Sequence, residues 1–149
     1  MPFRFRFKVL LQHREYLQRK AQIALAAARY RYEQIEMKRQ QVQKEILQQR
    51  AVWEEKQLRG MNASEYLVFK DYLITLEQQL LQIQRELDKV SEEVEKAKEE
   101  LLGREKDVKI LESLEDKHRE AYAYDHAKTE QKNLDEVAVI KDYRGKLEI

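Results

Sequence analysis

The chain has no cysteine, one proline and three glycines in 149 residues. Without cysteine there is no disulfide framework and no thiolate metal site. With so few turn formers the chain cannot supply the punctuation that a β-sandwich or a doubly wound sheet needs. No run of 18 apolar residues occurs, so nothing in the sequence has the length to span a bilayer. The basic amino terminus lacks the apolar stretch of a signal peptide. A cytoplasmic location is the simplest expectation. There is no phosphate loop and no dinucleotide fingerprint. The three histidines, His13, His118 and His126, are not set among a nucleophile and an orienting acid as hydrolytic chemistry requires. His13, Glu115 and His118 would be the nearest approach to a metal site, but polar residues at the end of a weakening seam is the preferred reading. The expectation is a protein that is not an enzyme and needs neither cofactor nor metal.

What is present is helix. Charged residues make up 38% of the chain, and this composition fits long helices or coiled coil. Stepping alternately by four and three from Phe69 gives Leu73, Leu76, Leu80, Ile83, Leu87, Val90, Val94, Ala97, Leu101, Arg104, Val108, Leu111, Glu115, His118 and Tyr122. Only Arg104, Glu115 and His118 break the apolar rule. A period of 3.5 residues produces one narrow seam, which a single helix cannot cover by itself. Residues 9–58 carry a weaker seam: Leu10, Leu17, Ala21, Ala24, Ala28, Tyr32, Ile35, Val42, Ile46 and Trp53, with His13, Arg39 and Gln49 in the gaps. This first helix should be roughly 75 Å long at 1.5 Å per residue.

Between the two lies the one convincing break, residues 59–65. Gly60 suits a left-handed helix terminus. Asn62 and Glu65 have the spacing of a capping box, with Ser64 as a competing cap. Two long amphipathic helices joined this closely form an antiparallel hairpin. Charge supports the pairing: residues 1–60 hold 14 Lys/Arg against 6 Asp/Glu, and residues 61–149 hold 15 against 22. The fold class is therefore all-α, a long antiparallel two-helix coiled-coil hairpin, and a single domain. The first helix spans about 9–58, the tip 59–65 and the second helix about 65–142. The second helix outlasts the first. Its end, with Ala121, Tyr122, Ala123, Tyr124, Ala127, Leu134, Val137, Ala138, Val139 and Ile140, is an apolar overhang without a partner in the chain. The opening stretch Phe3-Arg4-Phe5-Arg6-Phe7-Lys8 alternates aromatic and basic residues. It reads as a short extended terminus or as an anchor whose Phe side chains dock on a partner. Nucleic-acid binding is not expected, because the basic half is neutralised by the acidic half.

Three stretches share a resemblance. Phe3-Arg4-Phe5-Arg6-Phe7-Lys8-Val9-Leu10-Leu11, followed by Arg14-Glu15, resembles the start of the FliJ family. Tyr72-Leu73-Ile74-Thr75-Leu76-Glu77 resembles that family's segment after the hairpin tip. Glu130-Gln131-Lys132-Asn133-Leu134-Asp135-Glu136-Val137-Ala138 is similar to its most recognisable motif. The resemblance implies a soluble component of the bacterial flagellar type III export apparatus, shaped like the gamma-subunit stalk of rotary ATPases. It would be needed for flagellum assembly, motility and chemotaxis. The implied partners are the ring of the export ATPase FliI, the cytoplasmic domain of the export gate FlhA, and substrate chaperones. The protein would be a monomer in isolation, cytoplasmic and peripherally associated with the membrane at the flagellar base without inserting into it. Carried over by position, the ATPase-facing base would use Phe3, Phe5, Arg6, Phe7, Lys132, Leu134, Asp135 and Glu136. The gate-facing surface near the tip would use Val42, Tyr72, Leu76, Gln79 and Ile83. Glu45 and Gln49 depart from the family pattern, in which some members carry Tyr. The equivalent stalk of a virulence secretion system and a generic coiled-coil scaffold or chaperone are the alternative readings.

Overall fold

The computed structural model describes residues 2–147. Two α-helices account for nearly all of them: α1 over Lys8–Arg59, 52 residues, and α2 over Ala63–Leu147, 85 residues. No strand occurs among the described residues. The helices are packed against each other as a hairpin, and their contacts fall into two compact units. One combines residues up to Gln18 with those from Arg104 on, and the other is Arg19–Gly103.

The turn is short because each of its residues has a local job. Gly60 sits at φ 92°, in the left-handed region where a Cβ is strained. Its N–H donates to the Gln57 carbonyl at 3.4 Å, closing the end of α1. Asn62 is the cap of α2: its side-chain oxygen accepts from the Glu65 N–H at 2.8 Å, and its carbonyl accepts from the Tyr66 N–H at 3.2 Å. This decides between the two candidate caps, and Ser64 is not the one used. Nothing lies within 4 Å of a Cβ placed on Gly60. Gly60→Ala should therefore cost only backbone strain, about 1 kcal/mol, read as a small drop in the chemical-denaturation midpoint with an unchanged slope.

In the Arg19–Gly103 unit the cross-helix pairs run in opposite senses. Trp53 stacks on Phe69, Arg50 pairs with Glu77 and Arg31 pairs with Glu93. The number on α1 falls as the number on α2 rises, so the helices are antiparallel. Every α2 position in the alternating four-three series from Phe69 to Tyr122 is buried or half-buried. Leu76 and Leu87 are each 4% exposed. The expected seam of α2 is the observed one.

The first part of the α1 seam differs from expectation by one residue. Leu11 and Leu25 are each 7% exposed, whereas Leu10 is 40% exposed and Ala24 lies on the surface. Likewise Arg14 is half-buried and His13 exposed. The alanine-rich stretch is apolar at several adjacent positions, so its periodicity does not choose a phase. Packing does: burying Leu25 removes more apolar area from water than burying Ala24. Ala21 and Ala28, at 6% and 2% exposed, are seam positions in either phase. From Ile35 onward the expected positions Val42, Ile46 and Trp53 all face inward.

The opposite charges of the two helices meet as expected. Arg14–Asp107 at 3.8 Å, Arg31–Glu93 at 3.3 Å and Arg50–Glu77 at 3.2 Å each join a cation of α1 to an anion of α2. All six side chains are partly exposed, so each pair contributes at most about 1 kcal/mol. They bias orientation and register more than they stabilise. Arg39, a cation at a seam position, is held by Glu36 one turn earlier. That hydrogen bond keeps the Glu36 carboxyl below the usual carboxylate range.

Candidate functional site

The amino-terminal aromatic residues do not extend away from the chain. The Lys8 N–H donates to the Phe5 carbonyl at 3.2 Å, and the Leu11 N–H to the Phe7 carbonyl at 2.9 Å. This tight turn folds residues 3–7 back along α2. Phe5, 7% exposed, joins Leu11, Val108 and Leu111 in a core cluster, with Phe3, Phe7 and Leu114 packed around it. The His118 ring meets Phe5 edge-on at 5.7 Å between centroids and lies 6.5 Å from Phe7. Phe3 packs on Tyr122 at 5.6 Å, and the Arg119 guanidinium lies 5.4 Å from the Phe3 ring. Arg119 also pairs with Glu115 at 2.9 Å. A groove of about 390 Å³ runs between Phe3, Arg4, Phe5, Lys8, Glu115 and Arg119. Phe5 is thus occupied within the chain, Phe3 and Phe7 each leave part of a ring outside, and Arg6 is exposed beside Phe7.

Lys132, Leu134, Asp135 and Glu136 stand apart from that cluster. About 15 Å of helix separates Tyr122 from Lys132. All four are exposed, Leu134 at 64%. Every side chain described from Ala123 to Lys146 is exposed. Ala123, Ala127, Leu134, Val137 and Ala138 nevertheless fall on one side of α2 at about 100° per residue. Asp135 is steadied by Gln131, whose amide donates at 3.1 Å.

Near the tip the second group of candidates is divided. Leu76 is buried, and Val42 and Ile83 are half-buried in the seam. Only Tyr72, at 39%, and Gln79 are exposed. The Tyr72 hydroxyl donates to the Glu45 carboxylate across the two helices. That bond, with smaller contributions from desolvation and the carboxylate charge, raises the tyrosine pKa. A raised pKa disfavours the ionised form in the folded protein. The stabilisation from this pair is therefore present below the ordinary tyrosine range and lost as pH rises through the raised value. In Glu45→Gln, Tyr72 should ionise at lower pH than in wild type. Alkaline absorbance titration, with Tyr72→Phe subtracted to isolate this residue, reads the change.

The tip also holds an aromatic group that sequence reasoning did not assemble. Trp53 stacks on Phe69 at 4.5 Å with 12° between planes, and Tyr66 packs on the same indole at 5.1 Å. Grooves of about 380 and 410 Å³ flank this stack on its two sides. The signal was available, because Trp53 and Phe69 lie equally far from Met61 at the turn. His13 stacks on Tyr16, whereas His118 meets Phe5 and Phe7. No group of three or more His, Asp or Glu side chains suited to a metal ion occurs among the described residues.

A family model, "Flagellar FliJ protein", matches residues 3–146. The chain belongs to the FliJ family. No curated protein and no solved structure matches it. The match covers all three stretches on which the resemblance was drawn. A FliJ chain is a non-catalytic component of the flagellar protein-export apparatus. No described helix is long and apolar enough to cross a membrane.

Proposed function

We propose that this FliJ chain is the central stalk of the export ATPase. In this reading the end bearing both termini enters the FliI ring and promotes its assembly and activity. The observation that carries it is the carboxyl-terminal part of α2. From Ala123 to Lys146 every side chain of a helix with an apolar stripe is exposed among the described residues, and an uncovered stripe of this kind marks an interaction surface. Leu134, with Lys132, Asp135 and Glu136 around it, is the expected contact. The exposed Arg6 and the outer parts of Phe3 and Phe7 form a second contact, with Phe5 holding them in place from beneath.

Tyr72 and Gln79 are the proposed contact with the export gate FlhA, over a base of Val42, Leu76 and Ile83 that keeps the helix spacing. Substrate chaperones are the third class of partner. A chain bearing these surfaces would act in the cytoplasm at the inner face of the membrane, in the manner of a rotary-ATPase gamma stalk, and would support flagellum assembly, motility and chemotaxis.

The test is ATP hydrolysis by the cognate export ATPase with the full chain and with a chain ending at Tyr122. No side chain described from Ala123 on is buried, so the truncation's melting temperature should match wild type while stimulation is lost. Full stimulation by a folded truncation would refute the stalk assignment at this end.

A further inference from the structure

The outward face of α1 carries a second apolar stripe that the hairpin leaves uncovered. Seven-residue steps from Ile23 reach Tyr30 and Met37, which are 70%, 63% and 55% exposed. Ala26 and Ala27, both exposed, fill the turn between Ile23 and Tyr30. At about 100° per residue these side chains lie on the side of α1 opposite Ala21, Leu25 and Ala28. Single exposed apolar residues are ordinary on any protein, but here three stand at heptad spacing, with alanines in the first turn between them and Glu33 and Gln34 in the second. On α2 a run of this spacing lies near the tip, where Leu67, Ile74 and Leu81 are 58%, 41% and 61% exposed, and the same steps then reach Asp88 and Glu95. A neighbouring series on α2, Gln78, Arg85, Glu92 and Glu99, is polar and exposed throughout.

Charge indicates what covers the strip. Residues 19–38 contain five basic side chains against two acidic ones. Arg19 and Lys20 sit one turn before Ile23, while Arg29 and Lys38 lie to its two sides along the helix. None of these four forms an ion pair among the described residues. Of the acidic residues, Glu36 is taken by Arg39, leaving Glu33. A second copy of this chain would bring the same cations against each other, which is repulsive in either orientation.

We infer that this face docks an amphipathic helix of another protein, with aliphatic anchors at i, i+4 and i+7 and Asp or Glu on both flanks. Such a helix would lie along α1 as a third strand of the coil, its anchors between Ile23, Tyr30 and Met37. Its acids would meet Arg19, Lys20, Arg29 and Lys38, so association should weaken as salt is added. The inference is independent of the stalk role, since it concerns neither the carboxyl-terminal part of α2 nor ATP hydrolysis.

The probe is a synthetic three-heptad peptide with Leu at the core positions and Glu at the flanking ones, labelled and titrated with the full chain by fluorescence anisotropy at low ionic strength. Its counterpart carries Lys in place of Glu. The Glu peptide should bind and the Lys peptide should not. The triple variant Ile23→Ser, Tyr30→Ser and Met37→Ser, checked by circular dichroism, should bind the Glu peptide at least about tenfold more weakly. Arg19→Glu with Lys20→Glu should exchange the preference of the two peptides, which guards against a triple variant that fails to fold. Equal binding of both peptides, or undiminished binding by the triple variant, overturns the inference. So does sedimentation showing a wild-type dimer that the triple variant loses, since the occupant would then be a second copy.

Discussion

Leu87→Asp should destabilise the hairpin by about 4 kcal/mol or more, and Leu81→Asp should change almost nothing. The two leucines are six residues apart on the same helix, and their environments are opposite. Leu87 is 4% exposed in the seam of the Arg19–Gly103 unit, while Leu81 is 61% exposed. Truncating a buried leucine to alanine costs about 2–5 kcal/mol from lost transfer energy and the cavity left behind. Aspartate adds the desolvation of a carboxylate at a buried position, where Arg39, a cation lining the same groove, is already held by Glu36. The seam is one layer deep, so neighbouring side chains have little second shell with which to compensate. Thermal melts followed at the helical circular-dichroism band separate the outcomes. A Leu87→Asp curve that overlays wild type would mean that the register described here is wrong.

The second large effect is expected at the amino terminus. Phe5→Ala should cost about 3 kcal/mol, at the lower end of the range for deleting a buried phenylalanine ring. Among the described residues ahead of α1 Phe5 alone is buried in the core cluster, and its ring contacts both Phe7 and His118. Losing it should loosen the turn that folds residues 3–7 onto α2 and also the start of α1. Hydrogen exchange should therefore speed up at amides 9–17 and 108–122, whereas amides 69–90 in the other unit keep their protection. A uniform change across both units would contradict the local role assigned to Phe5.

Most of the secondary structure was legible in the sequence because each helix carries its own period. Between Phe69 and Tyr122 a four-three spacing of large aliphatic residues admits only one phase, and that phase is buried. The turn was legible for a different reason. Gly60 and Asn62 are residues whose backbone and side-chain chemistry suit them to end one helix and begin the next. The α1 seam was less legible where alanines cluster, since Ala24 and Leu25 are both apolar and local periodicity ranks them equally. Only the area each buries against α2 separates them.

Of the proposed contact residues, Tyr72, Gln79, Lys132 and Leu134 are exposed, whereas Phe5 and Leu76 are buried; which of them would be exposed was legible only where the helix phase was. The stack of Trp53, Tyr66 and Phe69 was missed because its members belong to different helices and meet only across the turn.

The sequence by itself determined two helices, the place of the turn, the phase of α2 and the opposite charges that favour pairing. These are local or averaged properties, set by spacing, capping chemistry and composition. The tertiary structure decided the phase of early α1, the return of Phe3, Phe5 and Phe7 onto α2, and which apolar stripes remain uncovered. An apolar face states that burial is favourable but not against what. The identity of the covering surface depends on which residues the fold brings together from distant parts of the chain.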